Sequence, residues 1–375
     1  MQFEDIPGMT DVKEALKASA VHSHVAHAQL FIGREGNAQL PLALAYAAYI
    51  NCKNKDDVGR CLEDDPLFRK YRKLIHPDLH FVYPVATTKK VTSKPTSELF
   101  LPDWRTFVQE NPFGTLNDWS VHFGAEHKQP QISREESRQI MRSLVLKSFE
   151  AEYKVMLIWL PELMHPTAAN AILKILEEPP EKTLFLLVSN NAEALLPTIL
   201  SRTQIVHVRP FQDAEIKEFL IKHHQLAEER AAQVAYMAEG NLREAIRLAG
   251  ETHEDHGDTF RDWMRLCFKS DYMGILEHAE IFQRMGKEAQ KGLMRYSLNV
   301  IRDAMLWKFS GEQLVRLEGA RLDFVKNFSK VVNEKNLEQF VLHFNNAYYY
   351  IERNANAKIT FVELSNSIAR VIKAR

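Results

Sequence analysis

Disulfide chemistry has little raw material in this chain: its 375 residues include only Cys52, Cys61 and Cys267. Three thiols so unevenly spaced cannot form a disulfide framework, and they suit a reducing compartment. Long apolar runs are also missing. None approaches the roughly 20 residues that span a bilayer, and the opening MQFEDIPGMT lacks the basic start and apolar stretch of a secretion signal, so the expected location is cytoplasmic. Nor is there an excess of charge of either sign, with 48 Lys and Arg against 49 Asp and Glu. The chain as a whole therefore has no field to draw in a polyanion, which argues against a stand-alone nucleic-acid binder and leaves only a local basic patch. What is present is 45% hydrophobic and 26% charged residues. That is an ordinary soluble composition, long enough for two or three domains with cores of their own.

The apolar pattern predicts an α/β beginning and an all-helical end. From His27, HAQLFIGREGNAQLPLALAYAAYINC reads as strand, glycine turn and helix to about Asn51. Lys154 to Leu160 and Thr183 to Ser189 are compact buried-strand runs. Between them, Thr167 to Glu178 has apolar residues at helical spacing and stops before Pro179 and Pro180. Strands alternating with helices imply a parallel sheet covered on both faces. Residues 85–130, with TTKKVTSKPTS followed by the aromatic clusters around Trp104, Phe113 and Trp119, break this rhythm and read as an insertion. After Pro210 strands disappear, and the acidic stretch ETHEDHGD reads as a linker before a bundle of amphipathic helices.

The turn after the first strand invites comparison with a phosphate loop, G-x-x-x-x-G-K-[ST]. In that loop backbone amides close around phosphate, lysine neutralises it and a hydroxyl holds Mg²⁺. Here the frame runs Gly33, Arg34, Glu35, Gly36, Asn37, Ala38, Gln39, Leu40. Ala38 replaces the second glycine, Gln39 the lysine and Leu40 the hydroxyl, so this is a degenerate loop. The strand that should end in an acidic pair carries Trp159 and Leu160 instead. With phosphate-holding and metal-holding groups both gone, ATP hydrolysis by this chain is not expected. On the loop alone, GREG reads equally well as a plain strand-to-helix turn.

Further segments favour the first reading. AANAILKILEEPP at 168–180, Val188-Ser189-Asn190 and Leu200-Ser201-Arg202-Thr203-Gln204 follow one another in the order and spacing of a bacterial clamp-loader module. With HAQLFIG and the 76–84 segment HPDLHFVYP, they make the chain resemble the delta-prime family of the DNA polymerase III clamp loader, within the AAA+ superfamily, over roughly residues 3–250. The resemblance implies a RecA-like AAA+ sheet domain over 1–210, a small helical lid domain over 211–255 and an all-helical collar domain over 256–375 that oligomerises. It also implies a role: a stator that does not hydrolyse ATP, beside gamma or tau ATPase subunits and a delta subunit, in loading the sliding clamp onto primed DNA. The alternatives are an active ATPase of the gamma or tau type and a DNA-binding accessory factor acting alone.

The same resemblance assigns roles to residues. Arg202 matches the arginine that reaches a neighbouring subunit's ATP, Ser201 shapes the turn that aims it, and Thr203 stands where the family has cysteine. Asn190 and Arg243 match the two sensor positions. Glu177 and Glu178 lie at a helix C-terminus, where carboxylates oppose the macrodipole, so a partner contact or an internal ion pair is expected to supply a cation. Family members carry four zinc-binding cysteines after the loop, whereas this chain keeps Cys52 and Cys61, with Val58 and Asp64 in the other ligand places. His76 and His80 complete a set only on paper, and no zinc or other cofactor is expected.

Overall fold

The computed structural model describes residues 1–21, 25–56, 59–126, 128–145, 148–250, 256–311 and 319–373. They form two compact units, Met1–Ala249 and Gly250–Arg375. Most of the expected linker, 251–255, and the expected ligand place Val58 lie outside the described residues. No helix among the described residues is long and apolar enough to cross a membrane.

The first unit is built on a five-stranded sheet in the order β2-β3-β4-β1-β5. Its strands are β1 (Ala28–Ile32), β2 (Leu79–Val82), β3 (Lys154–Trp159), β4 (Thr183–Ser189) and β5 (Gln204–His207). Every pairing is parallel, with Phe31 opposite Val188 and Leu157 opposite Leu186. The three central strands β1, β3 and β4 are covered on both faces, which is why they read as unbroken apolar runs. Because side chains alternate across a strand, Phe31, Leu157, Leu186 and Val188 pack with the buried helix Gln39–Asn51. Leu30, Met156, Ile158, Phe185 and Leu187 pack on the other side with Ile140 and Ile172 of the helices Glu136–Val145 and Pro166–Glu177.

Two strands escape a reading by apolar runs. β2 has four residues, and β5 is an edge strand whose side chains are largely exposed. β3 stops at Trp159, one residue early, because Leu160 turns into the left-handed region at φ 57°. The helices Asp213–His224, Glu228–Ala238 and Leu242–Gly250, expected as a separate lid, belong through Ala249 to the same compact unit as the sheet. Ile216, Val234 and Leu242 join the cluster that contains Phe31 and Leu157.

The 85–130 segment is not loop alone: it holds the helices Leu101–Glu110 and Leu116–His122. Trp104 stacks on Tyr83 at 4.1 Å, meets Trp119 edge-on at 5.3 Å and lies 5.1 Å from Trp159 at the end of β3. Trp119 also donates through Nε1 to the Pro84 carbonyl at 2.8 Å. Aromatic pairs at these separations add attraction beyond the area they bury. The residue in place of a metal-binding acid is thus the anchor of the inserted segment.

The second unit comprises the helices His256–Lys269, Tyr272–Arg284, Lys287–Ser310, Gly319–Phe328, Glu334–Glu352 and Ala357–Lys373. Trp263 sits in its core, stacked on Phe361 at 4.4 Å and donating to Ser365 Oγ at 2.8 Å. In the Tyr348-Tyr349-Tyr350 run, Tyr348 packs against this core while Tyr349 and Tyr350 are exposed.

Candidate functional site

The glycine loop follows β1 at the carboxyl end of the sheet, where open α/β folds bind their ligands. Gly36 takes φ +81°, a conformation that favours glycine, and the Asn241 side chain leaves no room for a Cβ there. Gln39, buried, turns its amide back into the loop: Nε2 donates to the Arg34 carbonyl at 2.7 Å and to Asn190 Oδ1 at 3.2 Å. Gln39 and Asn190, expected from the sequence at the lysine and first sensor positions, are therefore brought together by one hydrogen bond.

The helix that follows is a poor anion site. Ala38 caps it without a side-chain hydrogen bond, and Pro41 in its first turn has no N–H, so one of the amides that would face an anion is missing. Asn37, buried in the loop, leaves both amide atoms without a hydrogen bond, a polar cost that the loop carries. Beyond β3, Glu162 follows Trp159 and Leu160, and its Oε1 accepts from the Asn190 amide at 2.9 Å. Burial pushes the Glu162 carboxyl up from its ordinary range, against hydrogen bonds that favour the charge.

Arg243 is also occupied. Its Nε and Nη2 make a forked pair with Asp118 Oδ2 and Oδ1 at 2.8 and 2.7 Å. Sequence reasoning left Asp118 unnoticed, although Thr115-x-x-Asp118 carries a reciprocal cap. The capping pattern was the available signal.

Arg202 lies at the other end of the strands. Gln29 pairs with Gln204 and Ile32 with His207, so Arg202, just before β5, is at the amino-terminal edge, and Gly33, just after β1, is at the carboxyl-terminal edge. At about 3.3 Å per residue, the intervening strand separates them by roughly 10 Å or more. Arg202 Nη2 donates to Glu177 Oε1 at 2.7 Å, and Nη1 donates to the Thr198 carbonyl and Ser201 Oγ at 3.1 and 3.2 Å. Glu177 therefore has the internal cation that its position at a helix C-terminus called for, whereas Glu178 is exposed. Thr203 turns its hydroxyl onto the Ile199 carbonyl at 3.1 Å.

Cys52 and Cys61 are both buried. The Cys61 thiol beside it lowers the Cys52 pKa, and Cys52 together with burial raises that of Cys61. The acid beside them is Asp65 rather than Asp64, which is exposed. Asp65 Oδ1 accepts from the Leu67 and Phe68 amides and Oδ2 from those of Lys53 and Asn54. It folds the segment and caps the next helix. His76 stacks on Tyr71 at 4.5 Å and accepts from the Asp78 amide. Among the described residues no His, Cys, Asp and Glu group has the arrangement of a metal site.

A parallel five-stranded sheet flanked by helices, with a glycine loop at its carboxyl end and helical packing against that loop, defines a doubly wound α/β module. The chain belongs to the DNA polymerase III delta subunit family, whose profile, described as "DNA polymerase III, delta subunit", matches residues 8–212. It is thus a member of the clamp-loader family of the replicase. A gamma subunit of this polymerase from Buchnera aphidicola is 24% identical over 66% of the chain and 57% of its own length. The delta-prime subunit of Bacillus subtilis is 25% identical over 64% of the chain and 58% of its own length. The matches thus span under two thirds of these relatives. A solved gamma-subunit-related protein of Thermotoga maritima is 16% identical, with a TM-score of 0.42 over 96% of this chain and 99% of that one.

Proposed function

We propose that this chain is a delta-prime-like stator of a DNA polymerase III clamp loader: it does not hydrolyse ATP itself and lends Arg202 to the ATP site of a neighbouring subunit. Its partners are gamma- or tau-type ATPase subunits and a delta subunit, and through the assembled complex the sliding clamp and primed DNA. The observation that supports this most is the register of β1 against β5, which puts Arg202 and the glycine loop at opposite ends of the sheet. An arginine there lies away from the glycine loop of its own chain, and a guanidinium fork matches the oxygens of a phosphate. The loop supports the other half of the reading, since Gln39, Asn190 and Arg243 are engaged with the chain's own groups.

The gamma and tau names among the relatives favour a second reading, an active ATPase. Reconstitution with gamma- or tau-type subunits separates the two. On the stator reading, the isolated chain binds no Mg–ATP at micromolar concentration, and Arg202→Ala lets the complex assemble but slows ATP hydrolysis and clamp loading. Unchanged rates in that variant would overturn the finger, and Mg²⁺-dependent turnover by the isolated chain would establish the rival.

A further inference from the structure

Three stretches distant in sequence close on the glycine loop. From the inserted segment, the Leu116 amide donates to Glu35 Oε1 at 3.1 Å. From the turn before the helix Leu242–Gly250, Asn241 Nδ2 donates to the Glu35 carbonyl at 3.0 Å. From the helix itself, the Arg243 amide donates to the Gly36 carbonyl at 3.1 Å. The Arg243 guanidinium closes the circuit by its fork on Asp118, which returns to the inserted segment.

An arginine held against a glycine loop at the carboxyl end of a parallel sheet is positioned to meet an anion. Here the anion is covalently part of the chain. Asp118 presents two oxygens to the guanidinium in the bidentate manner that carboxylate and phosphate share. The same carboxylate accepts from Thr115 N and Oγ1, both at 2.9 Å, so it is fixed before the arginine arrives. Both partners of the ion pair are about three-quarters buried, with side-chain exposures of 25% and 22%. The aromatic anchor of Trp104 on Trp159 holds the inserted segment over the end of the sheet.

We infer that Asp118 is a built-in anionic ligand for Arg243, tying the helix Leu242–Gly250 to the glycine loop without any nucleotide. The inference rests on the reading of the loop as one that takes no triphosphate, and adds which group meets Arg243 beside it. It adds a polar tie from the inserted segment to the apolar packing of Ile216, Val234 and Leu242 that joins these helices to the sheet. It also predicts a latent site: with the carboxylate removed, Arg243 becomes available to a free polyphosphate.

Hydrogen exchange of the peptide spanning Leu242–Ala249, in the full chain, tests it. In the wild type, millimolar inorganic pyrophosphate or Mg–ATP leaves exchange unchanged. Asp118→Asn and Arg243→Gln each speed it by about tenfold, as expected when a hydrogen-bonded charge pair is lost. The double variant exchanges no faster than the faster single one, because both remove the same link. Pyrophosphate slows exchange again in Asp118→Asn and has no effect in Arg243→Gln. Arg243→Lys, which keeps the charge but loses the fork, falls between wild type and Arg243→Gln, and decides the matter if Asp118→Asn does not fold. Additive effects, unaltered exchange in the single variants, absence of rescue by pyrophosphate, or protection of the wild type by it would overturn the assignment. None of these readouts involves Arg202 or a partner subunit, so they stand or fall apart from the arginine-finger role.

Discussion

The Arg202 guanidinium rests on the Glu177 carboxylate at 2.7 Å, joining the end of the helix Pro166–Glu177 to the turn before β5. Both side chains are substantially exposed, at 33% and 52%, and exposed pairs contribute about 0–1 kcal/mol. The contact orients the arginine yet yields readily to a stronger anion. Arg202→Ala is therefore expected to lower stability by no more than about 1 kcal/mol in urea titration. In the reconstituted assembly it should slow hydrolysis at the adjoining site by about 10³-fold, the scale of an arginine finger. Glu177→Ala should leave that hydrolysis equal or raise it, by at most about fivefold, because it only frees the arginine. A fall as steep as that of Arg202→Ala would mean that Glu177 is needed in the bound state.

Restoring a lysine alone should not restore a nucleotide site. In Gln39→Lys the charge returns, but Trp159 and Leu160 supply no metal ligand and Pro41 still lacks its amide. Calorimetric titration is expected to detect no Mg–ATP binding at micromolar concentrations. Gln39→Ala should cost about 1–3 kcal/mol, since it strands the Arg34 carbonyl and the Asn190 amide oxygen. A neutral result in denaturant titration would show that water or a rearranged loop replaces both contacts.

Trp104 is fully buried among Tyr83, Phe107, Trp119 and Trp159. Trp104→Ala is expected to destabilise the first unit by about 3–5 kcal/mol, the usual loss for a large aromatic in a packed core. Trp263→Ala should do the same to the second unit. Two-wavelength unfolding curves would then lose coincidence, each variant lowering the transition of its own unit.

Stability should depend on Glu136 in a defined pH window. Burial at the start of its helix pushes this carboxyl up to about 7, against the hydrogen bond from the Ser97 amide at 2.9 Å. The folded chain then holds a proton that the unfolded chain releases near the ordinary glutamate value of 4.5. This contribution is complete below about 4.5 and is lost as pH rises through about 7, amounting to as much as about 3 kcal/mol. Buried His76 and half-buried His80 are shifted downward by loss of solvent, so they contribute the opposite slope as pH falls below the usual histidine range. The difference between wild type and Glu136→Gln isolates the glutamate: the variant should gain on the wild type from pH 5 to 8. Parallel curves would mean that Glu136 titrates normally.

The strands that sequence could reveal are those buried on both faces. β1, β3 and β4 are predominantly apolar, and that pattern survives in one dimension. β2 and β5 are four residues each and carry too little periodicity, so only pairing with β3 and β1 defines them. That Ala38, Gln39 and Leu40 carry neither charge nor a hydroxyl was likewise plain, because that is a property of the residue itself. Where the vacated positions turn was not. That Gln39 reaches Asn190, that Trp159 anchors Trp104 and that Arg243 grips Asp118 are contacts between segments up to 151 residues apart.

The sequence by itself determined the α/β beginning, the helical end and the loss of phosphate- and metal-holding groups, since each follows from local composition and spacing. Tertiary structure decided which groups Gln39 contacts, that the 213–249 helices share the sheet's core, and that Arg202 lies at the opposite end of the sheet from the glycine loop. Those outcomes depend on strand order and register, which bring remote residues within hydrogen-bonding distance and which no single stretch of chain encodes.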